Sequence, residues 1–149
     1  MSIMEFFGFK KKEAAKSPQV RVSPERIEEL SEGQIFVFGS DELGWHNGGA
    51  ARLALGRFGA IFGQAKGLQG QSYAIPTNGV QLSGIAQYVD EFIGFARKHP
   101  ELTFLVTRIG CGVAGYTEKD IAPLFASAYR LPNVYLPASF RQIIGYRFN

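Results

Sequence analysis

The chain has one cysteine, two histidines, one tryptophan and no apolar run approaching the ~18 residues of a membrane span. A lone cysteine cannot close an internal disulfide, which excludes a small disulfide-stapled scaffold and suits a reducing cytoplasm. With so few histidines and cysteines and no clustered acids there is no zinc-type ligand set, so neither a metal nor a cofactor is expected. The first residues show no signal-peptide pattern, because the apolar stretch from Ile3 to Phe9 is short and runs into lysines. Neither a GxxxxGK-Ser/Thr phosphate loop nor a GxGxxG fingerprint after a strand is present, and nothing repeats internally.

What is present is a chain of 149 residues, 46% apolar and 19% charged, with 13 phenylalanines. That is enough for one domain with a real core, and too apolar for disorder. The 18 glycines exceed the usual ~7% while prolines are spread thinly, which points to glycine-rich turns between regular elements. The net charge of +3 is concentrated near the start, where residues 1–18 read MSIMEFFGFKKKEAAKSP. This stretch is read as a loosely docked or flexible arm preceding a domain of residues 19–149. Its apolar-plus-basic pattern also admits a membrane-surface or nucleic-acid role, although a solvated tail is the plainer reading.

From there strands and helices alternate. Ser23-Pro24-Glu25 has the form of a helix start, with a side-chain cap, proline at the first position and acid in the first turn; the helix would run to Leu30. Residues 34–39 (QIFVFG) form a short apolar strand, followed by the loop SDELGWHNGG and a helix over 49–58 that Gly56 and Gly59 end. The stretch GAIFGQAKGLQGQ reads as a long loop, and residues 72–76 as a second strand. Ser83 is the expected cap of a helix to His99, with Ile85, Val89, Phe92, Ile93 and Ala96 on one face. A third strand over 102–107 leads into a compact loop, RIGCGVAGY. Thr117 and Asp120 form a capping box for a helix over 118–129, and a fourth strand occupies 133–136. Residues 137–149 are left as an edge strand or coil.

This alternation predicts an α/β fold with a mostly parallel sheet covered on both faces, a three-layer α/β/α arrangement. In such sheets ligands sit outside the carboxyl ends of the strands. The glycine loops at 40–49 and 108–116 each follow a strand and precede a helix, so both are expected at that rim. Glycine lets backbone N–H groups approach a ligand closely, and a helix N-terminus favours an anion. Two such loops facing each other suit a pyrophosphate.

The segments FVFGSDELGWHNGGAARLALGRFGA and TFLVTRIGCGVAGYTEKDIAPLFASAY resemble the two ligand loops of macrodomains, the ADP-ribose-binding modules, in order and spacing. Together with GAIFGQAKGLQGQSYAIPT they also resemble a family common in phages and bacteria, whose name settles no chemistry. The macrodomain resemblance implies that Asn47, Gly48 and Gly49 line the distal ribose and pyrophosphate. It further implies that Gly110, Cys111, Gly112, Val113, Ala114 and Gly115 wrap the phosphates, with Tyr116 beside the ribose. Gly39 and Ser40, which end the strand below, are counted with them as ligand-binding residues. Ser40 or Asp41 stands where hydrolytic macrodomains carry the last asparagine of their strand-end motif, and no adenine-reading Gly-Asp-Ile-Thr-like segment precedes Gln34. The implied ligand is therefore a nucleotide with a pyrophosphate or ribose phosphate, ADP-ribose being the reference case.

Among side chains, Asp41 is placed to act as a base or to hold a ribose hydroxyl, with an Asx-turn as the alternative. His46 is a candidate for proton transfer or phosphate contact, or a loop side chain bonded to backbone. Trp45 could cover a base or anchor its loop. Cys111 precedes a helix start, where a thiolate would be favoured, yet it reads better as a small residue in a tight loop. Arg52 and Arg108 flank the two loops as candidate phosphate partners. The expectation is a cytoplasmic nucleotide-binding domain, in a bacterial host if phage-encoded. The runner-up is a hydrolase of an ADP-ribosyl or related linkage using Asp41 and His46. Nucleic-acid binding rests on the basic arm alone, no membrane partner is expected, and the oligomeric state is left open.

Overall fold

The computed structural model describes residues 20–148; the arm and its membrane and nucleic-acid readings lie outside them. Five strands form one sheet in the order β2-β3-β1-β4-β5. They are β1 (Gln34–Asp41), β2 (Gly67–Gln69), β3 (Ser72–Asn78), β4 (Thr103–Val106) and β5 (Val134–Tyr135). β1 pairs in parallel with both β3 and β4, and β4 in parallel with β5, while β2 alone runs antiparallel, against β3. The fold is thus α/β with a mostly parallel sheet. Among the described residues no helix is long and apolar enough to cross a membrane.

The alternation of strand side chains sorts the core into two clusters. Ile35 and Val37 of β1, Tyr73 and Ile75 of β3, and Phe104 and Val106 of β4 belong to the larger. There they meet Ile85, Val89, Phe92, Ile93 and Ala96 of helix α2 (Leu82–Lys98), the face its spacing predicts. Phe36, Phe38, Ala74 and Leu105, the intervening positions, join Ala51 and Ala54 of helix α1 (Gly49–Arg57) in the smaller cluster. Short alanines on α1 let its backbone approach the aromatic side of β1.

Several local expectations yield to tertiary contacts. Residues 23–30 form no helix. The Ser23 hydroxyl and N–H donate to the Tyr135 and Leu136 carbonyls, and Val22 bridges Leu136, so the would-be cap is tied to the sheet edge. Only Ile27 of the apolar residues there is buried, too little for a short helix to repay its nucleation cost. The glycine-rich loop instead contains β2, which turns into β3 through Gly70 and Gln71; Gly70 has φ +61°. A Cβ on Gly70 would sit 2.6 Å from the Gly59 Cα, so this crossing of two turns requires glycine.

The α1 helix keeps Gly56 inside it and stops at Phe58, before Gly59. Ser83 is not the α2 cap: Gln81, two residues earlier, takes that place, as the turn over 77–80 brings Leu82 against the core. The Thr117–Asp120 capping box is present, but it opens only a four-residue helix, α3 (Glu118–Ile121). Pro123, with no N–H, cannot continue the α-helical ladder, and residues Ala122–Ala128 tighten into a 3₁₀ segment. In place of an edge strand or coil the chain forms helix α4 (Ala138–Phe148), whose Phe140 and Ile144, four apart, are buried in the larger cluster.

Candidate functional site

Since β1 and β4 are parallel neighbours, the loops leaving their carboxyl ends emerge side by side. They line one cavity of about 200 Å³. The first loop and the start of α1 contribute Gly39, Ser40, Asp41, Asn47, Gly48, Gly49, Ala50 and Ala51; the second contributes Thr107, Arg108, Ile109, Gly110, Gly112, Val113 and Ala114. Thr77 and Asn78, at the end of β3, complete it. The sequence reading missed these two, although the rule that ligands gather at strand carboxyl ends applies equally to β3.

The first loop is set by its own backbone. Asp41 ends β1, and its Oδ1 accepts from the N–H groups of Leu43 (2.9 Å) and Trp45 (3.1 Å), an Asx-type closure. Partial burial acts to raise its carboxyl, but the N–H groups of Trp45, Leu43, His46 and Gly44 outweigh it and hold the carboxyl below the usual range. Asp41 lines the cavity while serving as the loop's staple.

His46 does not reach the cavity. It is fully buried with φ +53°, packs edge-on against Phe38, and donates from Nε2 to the Gln64 carbonyl at 3.0 Å, with Gln69 Oε1 at 3.2 Å. Among the described residues its buried Nδ1 has no partner. With Gly44, whose carbonyl accepts from the Gly63 N–H, and Ser40, whose hydroxyl donates to the Ala65 carbonyl, it ties the first loop to residues 61–69. Trp45 is 51% exposed and lines neither that cavity nor the core. Arg52 is also exposed and lies outside the cavity lining.

The second loop folds on itself through Cys111 N–H to Arg108, Gly115 N–H to Gly112 and Tyr116 N–H to Gly110. Gly115 is outside the cavity lining, and Cys111 and Tyr116 turn instead to a wider groove beside it. The Tyr116 hydroxyl donates to the Val80 carbonyl at 2.6 Å. Cys111 is no thiolate: burial first, then the carboxylates of Glu118 and Asp120 against the pull of Arg108, push its thiol up to about 11. The short α3 start is outvoted by these neighbours.

Two properties of the cavity suit an anion. Among the described residues, the N–H groups of Asn47, Gly48, Gly49, Ala50 and Ala51, and those of Gly110, Gly112, Val113 and Ala114, donate to no protein atom. The α1 N-terminus has neither a side-chain cap nor an acid in its first turn. Moreover, Gly48 is extended at φ −157°, Gly112 is not in the left-handed region, and a Cβ on either would meet nothing within 4 Å. Neither backbone conformation nor packing demands glycine at these two positions. Arg108 supplies a cation at the cavity's rim.

No protein-family model, no curated protein and no solved structure matches this chain.

Proposed function

We propose that this protein binds a nucleotide carrying a pyrophosphate or ribose phosphate, ADP-ribose being the reference ligand, in the cavity between the two glycine loops. The observation that carries the reading is the pair Gly48 and Gly112, one on each loop, where a side chain would have room, bordering one cavity amid N–H groups that donate to no described protein atom. Such donors, with the open α1 N-terminus and Arg108, recognise phosphate oxygens by the chemistry of helix-end and nest sites. Binding is favoured over hydrolysis because the candidate catalytic pair is otherwise engaged. Asp41 holds its loop, and His46 is buried against Gln64 and Gln69. The likeness of these loops to those of macrodomains agrees with a nucleotide binder, and the single cysteine suits a cytoplasmic one.

The test is a thermal-shift screen of ADP-ribose, cyclic ADP-ribose isomers, NAD and cyclic dinucleotides, with products followed by chromatography. At a hundredfold excess over Kd a ligand stabilises by about 2.7 kcal/mol. A chain of this size then melts roughly 5–10 °C higher. The expected result is such a shift with the ligand recovered intact. A screen in which nothing shifts the transition overturns the reading.

A further inference from the structure

A cavity of about 200 Å³ is smaller than the roughly 300–1,000 Å³ of typical small-molecule sites, so it has room for phosphates but not for a whole nucleotide. It adjoins, however, a wider groove of about 1,110 Å³, and the two share Ala50, Thr107, Arg108 and Gly112 as lining residues. The groove runs between α1, the segment over residues 23–28 and the start of α4. On the groove side of the shared Arg108 stands a polar relay. Arg108 Nη1 lies 3.7 Å from Glu118 Oε2, and the Ser139 hydroxyl donates to that same oxygen at 2.7 Å. Both contacts fall on Oε2, which leaves Oε1 without a protein donor among the described residues.

We infer that the wide groove is the nucleoside half of the same site, and that Glu118, aimed by Ser139, accepts hydrogen bonds from the ribose hydroxyls while Arg108 bridges to the phosphates. This rests on the binding proposed above and deepens it, because it gives the nucleoside a place in the fold and the ribose a recognising side chain. The sharing of Arg108 gives the ligand a direction, with phosphates between the glycine loops and sugar and base toward α4. A carboxylate beside a phosphate site is costly unless it earns a partner of its own, and a sugar diol supplies donors that phosphate cannot. Glu118 also pairs with the Arg108 guanidinium at 3.7 Å, so a phosphate and the carboxylate share that cation.

The experiment measures, by calorimetry on the full chain, the affinities of inorganic pyrophosphate, ADP and 2′,3′-dideoxy-ADP. ADP is expected to bind more tightly than pyrophosphate, and at least about tenfold more tightly than the dideoxy nucleotide, as a charge-assisted hydrogen bond provides. In Glu118→Gln that ribose preference falls to about twofold, while pyrophosphate binds as well as before or better, with Arg108 released and a negative charge removed. Ser139→Ala, which frees the carboxylate without deleting it, gives an intermediate preference and covers the case of a poorly folded Glu118 variant. Pyrophosphate binding with no gain from the nucleoside, or a ribose preference untouched in both variants, overturns this inference and leaves the phosphate cavity standing. Absence of binding by all three probes overturns both.

Discussion

Replacing Gly48 by valine separates a ligand cradle from an ordinary turn. The residue is already extended (φ −157°, ψ 152°), a conformation that suits a β-branched side chain, and its Cβ would meet no atom within 4 Å. Losing glycine at the α1 N-cap costs a few tenths to about 1 kcal/mol. The stiffer unfolded chain returns about 0.4–1 kcal/mol. The two nearly cancel, and Tm is expected to stay within roughly 2 °C of wild type. Binding fares otherwise. Three added carbons at a lining position crowd the cavity. They also stand among the N–H groups that a phosphate would use. The 5–10 °C ligand shift should vanish, with affinity down about a hundredfold or more. Gly112→Val should behave in the same way from the other loop. Differential scanning fluorimetry and calorimetry read both quantities on one sample. A retained ligand shift would place the ligand elsewhere, and a variant melting far below wild type would show that glycine is a structural need of the turn; either result refutes the reasoning.

The contrasting glycine is Gly44, at φ +73°, where a Cβ would lie 2.7 Å from backbone atoms of Gly63 and Gln64. Left-handed strain plus overpacking should make Gly44→Ala less stable by about 2–4 kcal/mol, seen as a fall in Tm of roughly 4–16 °C; a fall under 2 °C would contradict the crossing of these two loops. Cys111, with its thiol at about 11, should be alkylated slowly at pH 7 and tenfold faster with each pH unit up to that value. A rate already level near pH 7 would mean a thiolate after all. Asp41 has a folded-state pKa below the ordinary 3.8, so its contribution to stability is fully present above 3.8 and is lost as the pH falls through the folded value. The stability gap between wild type and Asp41→Ala should therefore be widest near neutrality and close in acid, as urea titrations at pH 7 and pH 3 would read; a gap that widens in acid would reverse the sign.

Elements whose signal is local were legible in the sequence. The apolar runs of β1, β3 and β4, the five-residue face of α2 and the Thr117–Asp120 box all stand where their patterns put them. Residues 23–30 carry an equally good local pattern and fail, because the Ser23 hydroxyl finds its acceptor in Tyr135, 112 residues away. No window around Ser23 contains that partner. The α4 helix is a different kind of miss: Phe140 and Ile144 stand four apart, a helical spacing that the isoleucine pair and the flanking aromatics mask as a strand. β2 was hidden by its glycines, which read as loop until Gly70 is recognised as the turn of a hairpin.

The candidate site divides along the same line. Its backbone half was legible, since glycines after two adjacent parallel strands can only meet at the strands' carboxyl ends, and the Gly48 and Gly112 positions do meet there. Its side-chain half was not, because the direction of a side chain depends on partners far along the chain. His46 looks like a proton carrier by type, but its φ of +53° and the Gln64 and Gln69 acceptors turn it into the core. Glu118 looks like a solvated first-turn acid by position, yet Ser139, 21 residues later, holds it at the mouth of the groove. A ligand read mainly by backbone would tolerate exchange of most polar side chains around it, so long as the two open glycines and the turn beneath them persist. That tolerance is the physical signature by which a cradle of peptide nitrogens differs from a catalytic centre, where a single side chain carries the reaction.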